Sequence, residues 1–263
     1  MEPHVFMAVI AGAAMHAGWN AVLKIRLDPF LAVVLVNAAC GVIALPIALY
    51  LGLPELHVWP WIIAALLLHV VYYLTLTGAY RRADMGLVYP IARGSAPLLT
   101  TILSVTLIGE AIDLQARRGA AAFDRTALRL ALICGLTITG FTLVDGMGAR
   151  TAASPHLYAA WLFVLDGVTV TTLGLVWKGR RAIASTLSFV GPGVAGAAMS
   201  LTSYWIAVWA MTKAPIGLVA AVRESSVLFG AAIAVIVLHE PLRRERIVAA
   251  VLIVIGLVLI KTH

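Results

Sequence analysis

Polar and charged residues recur inside stretches of this chain that are otherwise continuously apolar, and these are the residues that could do chemistry. His16, Asn20 and Lys24 follow i, i+4, i+8 spacing and share one helix face, with Trp19 beside them. A His–Asn stripe serves either as hydrogen-bonding glue between helices or as one wall of a polar cavity, and Lys24 reads as an interfacial anchor. Tyr89-Pro-Ile-Ala-Arg-Gly-Ser-Ala-Pro97 holds two prolines that each remove a backbone donor, so this helix is expected to kink and expose carbonyls. Tyr89 and Arg93 lie one turn apart on it. A second such segment reads Val222-Arg-Glu-Ser-Ser226, where Arg223 and Glu224 point about 100° apart on a helix and do not simply cancel.

An arginine guanidinium keeps its charge, so in an apolar run it must pair or face water. Two roles fit Arg93 and Arg223: a clamp on carbonyls of a neighbour, or a fixed positive charge in a substrate cavity, which is the reading we favour. Ser225 sits beside that charge. Asp145 and Asp166 are candidate charge partners; Asp166 suits Arg93 or Arg223, whereas Asp145, followed by Gly146-Met-Gly148, suits a helix end equally well. Tyr73, Tyr204, Trp161 and Trp205 are candidate cavity walls or packing aromatics, and Trp59 and Trp61 read as an interfacial belt.

Enzymatic signatures fail in turn. The sequence has no His-Glu-x-x-His, no nucleophile elbow, no phosphate-binding glycine loop and no aspartate-rich pair. No cofactor or metal is expected, and the chain reads as a non-enzyme.

The elements that position these residues follow from composition. Of 263 residues, 62% are hydrophobic and 12% charged, with a mean hydropathy of +1.00. A soluble globule needs a polar shell that such a chain cannot supply, which excludes a cytosolic enzyme or a nucleic-acid binder. The net charge of +7 is expected of Lys and Arg in loops between membrane spans. Cys40 and Cys134 both lie in apolar runs, away from any disulfide or metal spacing.

A hydrocarbon core about 30 Å thick takes roughly 20 helical residues. That ruler predicts an all-α membrane bundle with nine spans, near 5–24, 30–52, 60–80, 86–109, 127–147, 157–177, 187–211, 215–238 and 247–261. The first stretch lacks a basic n-region and is long enough to span, so it reads as a retained helix. The segment 110–126, with Asp113, Arg117, Arg118, Asp124 and Arg125, is too charged to bury and reads as a surface connector. The expected organisation is a first repeat over 1–110 with four spans, the connector over 111–126, and a second repeat over 127–263 with five.

The repeat shows in residue offsets. Tyr73 and Tyr204, Ala79 and Ala210, and Gly86 and Gly217 are each 131 apart. Arg93 and Arg223, Ser95 and Ser225, and Glu110 and Glu240 are each 130 apart, and Asn37 and Asp166 are 129 apart. Transporters built from repeats place substrate sites at the repeat interface near the midplane.

His16-Ala-Gly-Trp-Asn20, the Tyr89–Pro97 segment followed by Gly109-Glu110, and Tyr204 through Pro215 to Arg223-Glu-Ser-Ser226 and Glu240 resemble EamA-type proteins of the drug/metabolite transporter superfamily. The resemblance covers nearly the whole chain. It implies two five-helix inverted repeats, a bacterial inner membrane and the movement of small metabolites, often outward. It implies cavity or gate roles for His16, Asn20, Tyr89, Arg93, Tyr204, Arg223 and Glu224. The chain departs from that pattern after Glu110, where the family's fifth helix is shortened or missing. The expected partners are a small-molecule metabolite and the lipid bilayer, with proton or counter-substrate coupling and no nucleic acid. The rival expectation is a non-transporting structural or sensory remnant.

Overall fold

The structure is a computed structural model that describes residues 1–22, 27–80 and 125–236. Its described elements are helices: α1 Pro3–Val22, α2 Pro29–Leu51, α3 Trp59–Tyr80, α4 Arg125–Thr151, α5 Pro155–Ser185, α6 Val190–Met211, α7 Ile216–Arg223 and α8 Ser226–Ile236. Short 3-10 turns over Leu56–Val58 and Thr186–Phe189 join some of them. These helices overlie seven of the expected spans; the expected spans 86–109 and 247–261 and almost all of the connector lie outside the described residues.

Length and composition make the helices. Among the described residues, Pro29–Leu51, Leu56–Ala79 and Pro155–Met211 are long and apolar enough to cross a membrane. At 1.5 Å per residue, α2 is about 34 Å long and matches a hydrocarbon core. Large apolar side chains such as Val42, Leu67, Val168 and Val176 are exposed on the bundle surface, which water would penalise and lipid does not.

Helix ends fall where the local chemistry allows. Asp28 opens α2: its Oδ1 accepts from the N–H of Phe30 at 3.1 Å and of Leu31 at 3.3 Å, satisfying donors that have no helical partner. The Lys178 ammonium approaches the other Asp28 oxygen at 3.5 Å and links the start of α2 to α5. Gly179 has φ 78°, a positive value that glycine adopts without a Cβ clash, and it breaks the regular part of α5 just after Lys178.

Three helix pairs organise the described part of the bundle: α2 along α5, α3 along α4, and α1 along α6, with α8 also against α1. Small residues let the backbones approach. A Cβ on Gly167 of α5 would lie 2.7 Å from the Asn37 carbonyl oxygen and 3.0 Å from the Gly41 Cα on α2. Gly193 on α6 makes room for Leu35 of α2 in the same way. Alanines and Cys40 fill the thin core between α2, α5 and α6, and Cys40 and Cys134 are both buried.

Arg150, one residue before the end of α4, closes the far end of α6. Its Nε donates to the Met211 carbonyl at 2.8 Å and its Nη2 to the Ala214 carbonyl at 2.9 Å. The last carbonyls of a helix have no internal donor, so one guanidinium secures the turn that leads into α7. Arg150→Ala should cost about 1–3 kcal/mol by leaving these acceptors unsatisfied. The melting temperature in detergent checks it, with Arg150→Lys expected to recover part of the loss.

Candidate functional site

The third span carries His69 and, one turn later, Tyr73, which therefore share a face. His69 is buried and reaches both interior carboxylates of the neighbouring helices. Its Nε2 lies 3.6 Å from Asp145 Oδ2 on α4, and its Nδ1 lies 3.5 Å from Asp166 Oδ1 on α5. Both separations are ion-pair distances, longer than a formed hydrogen bond. An imidazolium can present an N–H to each carboxylate, whereas a neutral ring can donate to one.

The two carboxylates are held differently. Asp145 is fully buried and accepts from two phenols: Tyr158 at 2.8 Å on Oδ1, and Tyr204 of α6 on Oδ2. Asp166 Oδ2 accepts from Tyr73 at 2.8 Å, and the same Tyr73 hydroxyl lies 3.0 Å from Asn37 Oδ1 on α2. Asn37 is itself oriented by its Nδ2, which donates to the Val33 carbonyl at 2.9 Å.

Aromatic rings wall this centre. Phe141 meets the His69 ring edge-on with centroids 4.6 Å apart, and the Tyr204 ring lies 6.1 Å from it. Arg223, at the end of α7, places its guanidinium carbon 5.0 Å from the Tyr204 ring centroid, a cation–π arrangement. A continuous chain of polar contacts thus runs from Arg223 through Tyr204, Asp145, His69, Asp166 and Tyr73 to Asn37.

Beyond Arg223 the backbone tightens. The N–H of Ser225 donates to the Val222 carbonyl at 3.1 Å, that of Val227 to Glu224 at 3.0 Å and that of Leu228 to Ser225 at 2.9 Å. These i→i+3 bonds form a 3-10 step between α7 and α8, a feature often found at hinges. Glu224, Ser225 and Ser226 are buried there, and the two serine hydroxyls have no hydrogen-bond partner among the described residues.

The residues singled out in the sequence divide into three groups. Tyr73, Tyr204, Asp145, Asp166 and Arg223 come together, with Glu224 and Ser225 at the adjoining step. Asp166, expected as a partner for Arg93 or Arg223, has Tyr73 and His69 against it. On α1, Trp19 Nε1 donates to His16 Nδ1 at 3.1 Å, and Asn20 Nδ2 donates to the His16 carbonyl at 2.7 Å. Tyr89 and Arg93 lie outside the described residues.

Trp161 and Trp205 serve the bundle end: Trp161 Nε1 donates to the Gly52 carbonyl at 2.6 Å and Trp205 Nε1 to His156 Nδ1 at 2.8 Å. His69 and Tyr158 were not singled out, and Asn37 only as a repeat match. The available signal was the four-residue spacing of His69 and Tyr73.

Charged and hydrogen-bonding groups gathered between apolar helices define a multi-pass membrane protein with a polar interior, the arrangement expected of transporters. The chain belongs to the EamA-like transporter family, whose model matches residues 126–262. It is therefore a membrane transporter of the drug/metabolite transporter superfamily, a family of transporters and not of enzymes. Twelve solved chains match it. One, titled "Crystal structure of protein", is 16% identical, superposes with a TM-score of 0.66, and covers 96% of this chain and 93% of its own length. That likeness concerns the fold. No curated protein matches the chain.

Proposed function

We propose that the protein is a secondary transporter that moves small organic metabolites bearing a carboxylate, outward across a bacterial inner membrane. The observation that carries this reading is the buried chain from Arg223 to Asn37. Charged side chains inside a bilayer are costly, and their usual place is a substrate or ion pathway. The sequence offers no nucleotide-binding motif, so an ion or counter-substrate gradient supplies the energy.

The repeat supports a central location for the pathway. Asn37 and Asp166, 129 residues apart and matched between halves, meet at one Tyr73 hydroxyl. Residues related by a repeat axis come into contact where they lie close to that axis, which is where repeat-built transporters bind substrate. Arg223 gives the path a permanent cation, and we assign it to the substrate carboxylate together with Arg93 of the first half. Tyr89, Tyr204 and Ser225 complete this wall, with Glu224 facing a substrate amine and His16, Trp19 and Asn20 opposite.

Arg223→Gln should reduce saturable uptake of labelled amino acids and small carboxylic acids into proteoliposomes by about tenfold, equivalent to about 1.4 kcal/mol. Arg223→Lys should recover only part, because lysine keeps the charge and loses the planar fork. Indifference of every probe to both substitutions would overturn the assignment. No saturable movement by folded wild-type protein would support the non-transporting remnant instead.

A further inference from the structure

The hydrogen-bond inventory around the two carboxylates is unequal. Asp145 has a phenol donor on each oxygen, Tyr158 and Tyr204, and neither phenol has another acceptor among the described hydrogen bonds. That set fits an ionised carboxylate, which only accepts. Asp166 differs. Tyr73 has one hydroxyl hydrogen and two acceptors within reach, Asp166 Oδ2 at 2.8 Å and Asn37 Oδ1 at 3.0 Å. The amide cannot turn to offer its NH2, because that group is committed to the Val33 carbonyl.

With Asp166 ionised, one of the two oxygens around Tyr73 receives no hydrogen from it or from another described residue. With a proton on Asp166 the chain closes: the carboxyl donates to the Tyr73 oxygen, and Tyr73 donates to Asn37 Oδ1. On its other side, Asp166 Oδ1 and His69 Nδ1 are both buried and without a hydrogen-bond partner among the described residues, facing each other at 3.5 Å. Unsatisfied buried polar atoms are costly, and this pair is poised to close on a change of charge.

We propose that Asp166 is the carboxylate that carries a proton through the transport cycle, with Tyr73 and Asn37 as the donor chain that accommodates its protonated form and His69 as the group that answers its charge. This rests on the transport reading above. A proton from one aqueous face forms an O–H bond on Asp166, and the same bond breaks to release it to the other face in exchange for substrate. Each described helix packed on the site supplies a group that feels the change. They are Asn37 and Cys40 from α2, Tyr72 and Tyr73 beside His69 on α3, and Asp145 from α4. Tyr158 stands on α5 with Asp166, and Tyr204 of α6 lies under Arg223 of α7.

Infrared difference spectra of the full-length protein in detergent, between acidic and alkaline buffer, test the assignment without a substrate. One component of the protonated-carboxyl stretch of the wild type should be missing in Asp166→Asn and change frequency in Asp166→Glu. Tyr73→Phe, which removes the hydroxyl that meets Asp166 Oδ2, should change the frequency of that component. A carboxyl spectrum in which no component is altered by either Asp166 substitution would overturn the proposal.

Proteoliposomes holding a pH-sensitive dye separate it from the transport reading. Saturable movement of labelled amino acids without a change in internal pH would overturn the coupling role and leave transport standing. No movement of any probe would overturn both.

Discussion

Asp145→Ala should destabilise the protein by about 3–5 kcal/mol, the range for removing one partner from a buried ionic cluster. The carboxylate accepts from Tyr158 and Tyr204 and faces His69 Nε2, so its loss strands two phenols and leaves His69 with Asp166 alone. Replacement by asparagine should cost less, because one oxygen remains to accept a hydroxyl. The melting temperature in detergent and the yield of monodisperse protein read the difference. A double change, Asp145→Ala with Tyr158→Phe, should be less damaging than the two losses added, since one stranded hydroxyl goes with its partner. Full additivity would mean that the two side chains are not coupled as described.

Gly167→Val should be nearly as damaging, for a geometric reason. Any Cβ there meets backbone: the Asn37 carbonyl oxygen at 2.7 Å and the Gly41 Cα at 3.0 Å. Backbone cannot swing aside as a side chain can, so α2 and α5 must separate, and overpacking of this kind costs about 1–3 kcal/mol even in forgiving cores. The separation would also lengthen the contact between Tyr73, Asn37 and Asp166, because Asp166 precedes Gly167 and Asn37 carries the obstructing carbonyl. Gly191→Ala, at a position with open space, is the matched control and should stay within about 0.5 kcal/mol of wild type. Equal melting temperatures for the two variants would contradict the close crossing.

The spans were legible because bilayer thickness imposes a length that apolar runs must meet. The edges of α2, α3 and α6 fall within a few residues of the expected ones. Asp145, Asp166, Tyr73 and Tyr204 were legible for a related reason, since polar groups stand out where the sequence is otherwise apolar; Tyr158 was not. His69 did not stand out. It follows Leu66-Leu67-Leu68 and precedes Val70-Val71, and a lone histidine in such a run is most often a satisfied packing residue.

Its role depends on which helices flank it, and sequence does not reveal that α3 lies along α4 while α2 lies along α5. Asp145 looked equally suited to a helix end because two glycines follow it. In the fold those glycines continue the helix and make room for Ile216 and Tyr158. The 3-10 step at Glu224 and Ser225 had no proline or glycine to announce it.

The central claim is that a buried charge chain centred on His69 forms the working interior of a transporter. Counterflow of labelled amino acids and carboxylic acids in proteoliposomes, comparing wild type with His69→Gln, tests it most directly. Glutamine keeps a hydrogen-bonding group of similar reach and removes the second charged donor, and both proteins are first shown to be folded and monodisperse. The account predicts saturable counterflow of at least one probe by the wild type and a reduction of about tenfold or more in the variant, a loss of about 1.4 kcal/mol. Equal counterflow by the two proteins, across every probe that moves, would contradict it.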